Sequence, residues 1–401
     1  MARALHDHSV GPGSLLPWSR AHALAREVAE PLPGHPVAVV AAGGQVLAEA
    51  VHGVRPVPAF DNAAMDGYAV SGPGPWSVTG LLLAGGFTTL PSLVPGEAVE
   101  IATGAPVPHG ATAVLPYEES ALGESALGAD RVVSGVVGTR THIRRAGETL
   151  GAGELVAPAG RVVTATLAAA ALQAGVDKVV THRPPTVTLL VTGDEVVDSG
   201  APGPGQVRDT FTGLVTAITT RAGGHLRASR HQRDDPASLA AALDRADTDV
   251  IVVSGSSSAG AADHLHALLT ARAATWHVRG VACRPGHPQA LASLPSGPAG
   301  IGRWVVSLPG NPFAGLVAAL TLLEPLLETM AGRVPRPLPT IPVTGAAKPM
   351  PGGVRIVPVS AAGILPESGP AGLQAAALAD SLAVLPDGWS SGEAAALLTL
   401  P

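Results

Sequence analysis

Three short apolar runs leave little choice of fold for the second half of this chain. "VTLLVTG" (187–193), "DVIVVSG" (249–255) and "RWVVSLPG" (303–310) each carry consecutive apolar residues and close on glycine. Such runs suit strands buried on both faces. Helical sequence lies between and after them: "TGLVTAITTRAGG" (212–224), "ASLAAALDRA" (237–246), "ADHLHALLTARA" (262–273) and "FAGLVAALTLLEPLLETM" (313–330). Strands alternating with helices imply an α/β architecture, a doubly wound and mostly parallel sheet with helices on both faces.

The remainder has another texture. Residues 14–29 carry Leu16, Ala23, Leu24 and Val28 at near-helical spacing. From 54 to 140, apolar runs such as "AVEIATG" (98–104) and "ATAVLPYEE" (111–119) alternate with Pro and Gly turns, which reads as a small β-rich module. One further helix is expected near 164–174. Beyond 331, the proline-rich "RVPRPLPT" leads into a small C-terminal β domain ending at 401.

Charge narrows the function classes. Lys and Arg total 25 against 31 Asp and Glu, a net charge of -6. No basic face for nucleic acid is implied, and no polybasic run suggests a membrane surface. No uncharged apolar run reaches membrane-spanning length, and the N-terminus lacks a signal-peptide core. A cytoplasmic protein is expected. Cys283, the single cysteine, reads as buried filler.

Ligands of open α/β sheets bind beyond the carboxyl ends of the strands. There the sequence offers Thr192, Gly193, Asp194 and Glu195, whose paired carboxylates could hold Mg²⁺ or simply start a turn. "SGSSSAGAAD" (254–263) supplies Ser254, Gly255, Ser256, Ser257 and Gly260, small enough for backbone amides to approach a phosphate. Asp263 follows at the expected helix start, where an N-cap is its plain alternative. "LPGNPFAG" (308–315) stiffens a turn with Pro309, opens it at Gly310 and offers the Asn311 amide. In "CRPGHP" (283–288), Arg284 and His287 flank Gly286 and could meet anionic oxygens, or belong to a solvated turn. Earlier in the chain, "FDNAAMDGYAV" (60–70) sets Asp61 and Asp66 close together. Two acids make poor core filler, since buried charges are costly without partners.

Taken in order, FDNAAMDGYAV, IATGAPVP, IRRAGET, TGDEVV, GQVRDT, VVSGSSSAGAAD, RPGHP and SLPGNPFAG resemble the molybdopterin molybdenumtransferase family. These are the molybdenum-insertion enzymes of molybdenum-cofactor synthesis, and the E domain of gephyrin is a member. The likeness runs from about residue 14 to 401. It implies an elongated four-part protomer that forms a homodimer. Residues 1–53 with 141–175 would make the first part, 54–140 the second, 176–330 the molybdopterin-binding third and 331–401 the fourth. It implies insertion of molybdate into adenylylated molybdopterin, with release of AMP and support from Mg²⁺. Asp66, Thr103, Glu195 and Asp263 would be catalytic, and Asp66, Asp194, Glu195 and Asp263 metal ligands. The partner's MDGYA and TGAP regions would complete each cleft. The molybdopterin adenylyltransferase and acceptor molybdoenzymes would be protein partners.

Several loops depart from the family pattern. Ser256 stands in place of a glycine, and His287 in place of a lysine. Thr149 replaces the acid of a Gly-Glu-Asp motif, and Arg208-Asp209-Thr210-Phe211 replaces a Tyr-Asp-Ser/Thr-Asn run. A catalytically impaired paralogue, acting as a pterin- or nucleotide-binding protein or a dimeric scaffold, is the second expectation.

Overall fold

A computed structural model describes residues 15–85, 90–125, 128–255, 259–295, 302–366 and 372–401, with backbone alone at 125, 128–130 and 259–263. The chain forms two compact units. One comprises the residues up to His35, Gly44–Ala48 and Thr181–Pro401; the other comprises Pro36–Gly43 and Glu49–Val180.

The first unit is built on a six-stranded sheet in the order His225–Gln232, Thr186–Thr192, Val250–Ser254, Arg303–Leu308, Ala290–Leu294, Thr275–Arg279. The first four strands are parallel, Ala290–Leu294 runs antiparallel to them, and Thr275–Arg279 runs antiparallel to Ala290–Leu294. Consecutive side chains of a strand point to opposite faces, so an unbroken apolar run feeds two cores. Leu189 packs on the side of Val215 and Ile218 from the Phe211–Arg221 helix, together with the helical stretch from Pro312. Leu190 packs on the other side, with Leu239 and Leu243 of Pro236–Arg245 and with Leu265 and Leu269 of Ala259–Ala271. Both leucines are fully buried, each worth about 1.5–3 kcal/mol over exposure.

Three strands of this sheet are not legible as apolar runs. "HLRASRHQ" (His225–Gln232) is an edge strand with mostly solvent-facing side chains, and charge on an edge blocks unwanted pairing. Thr275–Arg279 lies at the opposite edge, next to Ala290–Leu294.

The expected single helix over 313–330 is interrupted. Pro312–Ala318 is α-helical, Ala319–Leu323 is a π-helical turn, and Glu324–Met330 resumes the α-helix. The turn is where Trp18–Glu27 docks. Trp18 Nε1 donates to Thr321 Oγ1 at 3.0 Å, and His22 Nδ1 lies 3.1 Å from the Thr321 carbonyl. A carbonyl only accepts, so Nδ1 carries the proton. Burial, with Arg26 nearby, lowers the His22 pKa to about 4 and keeps the ring neutral. The stretch Pro312–Met330 has a membrane span's length and apolarity, yet 78% of it is buried inside the protein.

Strands Thr340–Pro342, Ala394–Thr399, Ser381–Pro386 and Val354–Ser360 form another sheet in this unit, extended by Val281–Arg284 and then Leu16–Pro17. The second unit holds a six-stranded sheet, ordered Ala113–Pro116, Gly67–Val70, Glu97–Ile101, Trp76–Leu82, Gly128–Gly135, Ser120–Ser125. Tyr68, Trp76 and Leu115 fill one of its cores, and Ala69, Val99 and Ile101 another.

Candidate active site at the strand ends

The carboxyl ends of three parallel strands in the first unit finish level. Val191 is paired with Ser254, and Ser254 with Leu308. Two hydrogen bonds tie the loops that follow: Thr192 Oγ1 donates to the Ser254 carbonyl at 2.7 Å, and Gly255 N to the Leu308 carbonyl at 3.2 Å. Gly255 is left-handed (φ +86°), and a Cβ there would stand 2.6 Å from the Thr192 carbonyl oxygen. Only glycine tolerates that backbone without strain, so the close approach of the two loops requires it. Ser254 is buried, and its Oγ finds no partner among the described residues.

Beyond these ends, Asp194 and Glu195 are exposed. The Glu195 carboxylate folds back beside Gly193, within 2.7 Å of where a Cβ would stand. The Gly193 carbonyl accepts from Val196 N at 3.1 Å and faces His231 Nε2 at 2.6 Å, which therefore donates. The turn carrying both acids, which leads into Val196–Val197, is thus fastened at its root. Pro309 is buried and Gly310 exposed. Asn311 Oδ1 accepts from Ala314 N at 3.0 Å, the N-cap of Pro312–Ala318. Gly286 lies against the same helix, its missing Cβ 3.2 Å from the Ala314 carbonyl oxygen. Arg284 and His287 on either side are exposed.

Phe211 packs against the Asn311-capped helix. The ring is buried at the first position of Phe211–Arg221, and a Cβ on Gly315 would fall 2.2 Å from its Cε1. The ring occupies the volume that the glycine leaves beside the Asn311-capped helix. Asp209 secures the helix start, accepting from Phe211 N at 2.8 Å, Thr212 N at 3.2 Å and the Thr212 hydroxyl.

In the second unit, Asp66 Oδ1 accepts from both Thr103 N (2.6 Å) and Thr103 Oγ1 (2.8 Å). These bonds hold the exposed carboxyl below its usual pKa, and Asp66 Oδ2 carries no hydrogen bond among the described residues. The glycine of the motif is sterically required, because a Cβ on Gly67 would stand 2.1 Å from the Leu115 carbonyl oxygen. Asp61 has a different role. Its carboxylate accepts from Ala146 N at 2.8 Å and Arg145 Nη1 at 2.5 Å, and these contacts lower its pKa. Asp61 therefore needs no metal to account for it: it ties the 60–70 motif to the Ile143–Arg144 strand region. Tyr68 is core, packed edge-on to Tyr117 with centroids 5.4 Å apart.

The expected site residues thus divide by unit. Thr192, Gly193, Asp194, Glu195, Ser254, Gly255, Pro309, Gly310 and Asn311 share one sheet end, and Gly286 packs on the adjoining helix. Asp66 and Thr103 meet directly in the other unit. Ser256 and Ser257 lie outside the described residues. Asp263 is not at a helix start, because the helix begins at Ala259 and its N-cap alternative falls with that. The side chain of Asp263 is not described. Among the described residues, no three His, Cys, Asp or Glu side chains gather as a metal-holding group. His231 and Arg233 were missed, because His231 belongs to a polar edge strand that sequence periodicity does not mark and Arg233 to the loop that follows it.

Comparison with known proteins agrees with the motifs. Residues 16–175 match the MoeA N-terminal region (domain I and II), and residues 188–329 match a probable molybdopterin binding domain. Molybdopterin molybdenumtransferase 2 of Mycobacterium tuberculosis is 33% identical over 313 residues, covering 74% of this chain and 75% of that protein. Molybdopterin molybdenumtransferase of a Nostoc species is 29% identical over 304 residues, covering 73% and 68%. A solved molybdopterin biosynthesis MoeA protein from Pyrococcus horikoshii has a TM-score of 0.74 at 24% identity, over 96% of this chain and 99% of that one, a likeness of fold. On these matches and the motifs they span, the chain belongs to the molybdopterin molybdenumtransferase family, enzymes of molybdenum-cofactor biosynthesis.

Proposed function

We propose that this transferase inserts molybdate into adenylylated molybdopterin and releases AMP, with the strand ends of the first unit as its pterin and phosphate cleft. The observation that carries the reading is the level, cross-bonded set of ends at Thr192, Ser254 and Leu308. Those ends offer backbone and small side chains to a ligand, with the exposed Arg284 and His287 as cation and donor for anionic oxygens.

The donor chemistry fits Mg²⁺. Asp194 and Glu195 are exposed carboxylates on a fastened turn, and Mg²⁺ takes one or two carboxylates with waters and substrate phosphates filling its shell. Bound there, the ion would neutralise phosphate charge. Asp263 belongs to the proposed ligand set by its place in the motif. Asp66, ionised at neutral pH and oriented by Thr103, is proposed to hold or relay a proton at Oδ2. Gly255, with Ser256 and Ser257 that follow it in sequence and Gly260 in the first turn of Ala259–Ala271, would orient the phosphates. The four-part domain division, the homodimer with clefts completed across it, the named protein partners and a cytoplasmic location belong to the same reading.

The test is AMP release by purified protein given adenylylated molybdopterin, Mg²⁺ and molybdate. Asp66→Asn and Glu195→Gln should each remove release while leaving thermal unfolding unchanged, since both side chains are exposed. Wild-type rates in both variants would refute these assignments.

A further inference from the structure

Arg233 follows directly on the edge strand His225–Gln232, whose Gln232 is paired with Thr192. The register therefore sets Arg233 level with the start of the turn that carries Asp194 and Glu195. Its Nε lies 3.8 Å from Asp194 Oδ1, with the arginine side chain 78% exposed and the aspartate 60%. An exposed pair at that separation contributes little to stability, so the guanidinium is not needed to hold the fold.

The backbone beneath it is fixed from both sides. His231 donates to the Gly193 carbonyl, and buried Gln232 donates Nε2 to the His231 carbonyl at 2.9 Å. Downstream, Asp235 caps the Pro236–Arg245 helix through Ser238 N at 2.8 Å. A long, exposed cationic head thus stands on a rigid root beside the strand ends. Guanidinium suits phosphate, because its planar fork donates two parallel hydrogen bonds to an oxyanion.

We propose that Arg233 is a substrate-binding residue whose guanidinium takes the adenylate phosphate, and that in the free protein it rests on Asp194. This rests on the function proposed above. The pair keeps the arginine over the cleft without anchoring it there. An arriving phosphate, a better acceptor for the fork, draws it from Asp194 and leaves that carboxylate available. The competing explanation is that Arg233 only keeps charge on a sheet edge. In that case its exchange would leave ligand affinity untouched.

The probe is AMP, titrated calorimetrically without metal, alongside steady-state AMP release from adenylylated molybdopterin. Arg233→Ala is expected to weaken AMP binding about tenfold or more, the scale of a hydrogen bond to a charged group. KM for the adenylylated substrate should rise in parallel, with kcat changed less than about twofold, the signature of lost uniform binding. Arg233→Lys should recover part of the affinity, since it keeps the charge but not the fork. Asp194→Asn should bind metal-free AMP as tightly as wild type or more so. Wild-type AMP affinity in Arg233→Ala, or no AMP binding by the wild type, would overturn the proposal. If the wild type binds AMP through Arg233 yet turns nothing over, the proposed function fails and the assignment of Arg233 stands. If it turns over and Arg233→Ala is unchanged in affinity and KM, the assignment fails alone.

Discussion

Replacing Asp249 with alanine should destabilise the first unit without touching the candidate site, because it lies at the opposite end of the sheet. Asp249 directly precedes Val250–Ser254, and its side chain is 6% exposed. Its oxygens accept from Arg183 Nη1 and Nη2 at 2.9 and 2.7 Å and from Thr186 N and Oγ1 at 2.8 and 2.7 Å. Breaking a buried pair by removing one partner costs about 3–5 kcal/mol. Arg183 left behind is 35% exposed and can hydrate, so the lower end, about 3 kcal/mol, applies. For a unit of this size that lowers Tm by about 6–12 °C, measurable by calorimetry or circular dichroism. Burial alone would raise the Asp249 pKa, but Arg183 and the Thr186 donors outweigh it and hold it below the usual carboxylate value. A depressed folded pKa gives stability that is full above the unfolded value, about 3.9, and is lost as pH falls through the folded one. The gap between variant and wild type should therefore be widest near neutrality and shrink below about pH 3.9. A Tm loss under about 2 °C, or one of equal size at acid and neutral pH, would refute this reasoning.

Other outcomes follow from single contacts. Gly255→Ala meets the Thr192 carbonyl oxygen and a left-handed backbone, so it should lower stability by about 1–3 kcal/mol and weaken AMP binding; an unchanged melt and Kd would contradict that. Gly315→Ala should displace the Phe211 ring and cost about 1–3 kcal/mol, and pairing it with Phe211→Leu should recover part of the loss. Cys283 is buried, and burial pushes its thiol pKa up to about 12, so it should resist iodoacetamide at neutral pH until the protein unfolds; rapid labelling of native protein would be the contrary result.

What could be read from the sequence was local. Leu189, Leu190, Val252 and Val253 announce a strand buried on both faces because adjacent apolar side chains must point opposite ways. Gly255 and Asn311 were legible as loop and cap residues for the same reason, that small residues and amides after a strand have few other uses. The partners of Asp61 and Asp66 were not, for Arg145 and Thr103 lie 84 and 37 residues away in sequence and no periodicity links them. Nor was the π-helical turn, since Ala319–Leu323 reads like any apolar helix until Trp18 and His22 dock on Thr321. The edge strand His225–Gln232 hid because its ladder to Thr186–Thr192 is formed by the backbone, under mostly polar side chains in which Leu226 and Ala228 are the two apolar residues. Arg233 was hidden with it.

The most direct test of the central claim is a crystal structure of the protein with AMP bound. Electron density for the phosphate against the backbone of Gly255 and the Pro309–Asn311 turn, with Arg233 drawn away from Asp194, is expected. Ordered AMP elsewhere, with the ends at Thr192, Ser254 and Leu308 bare, would contradict it.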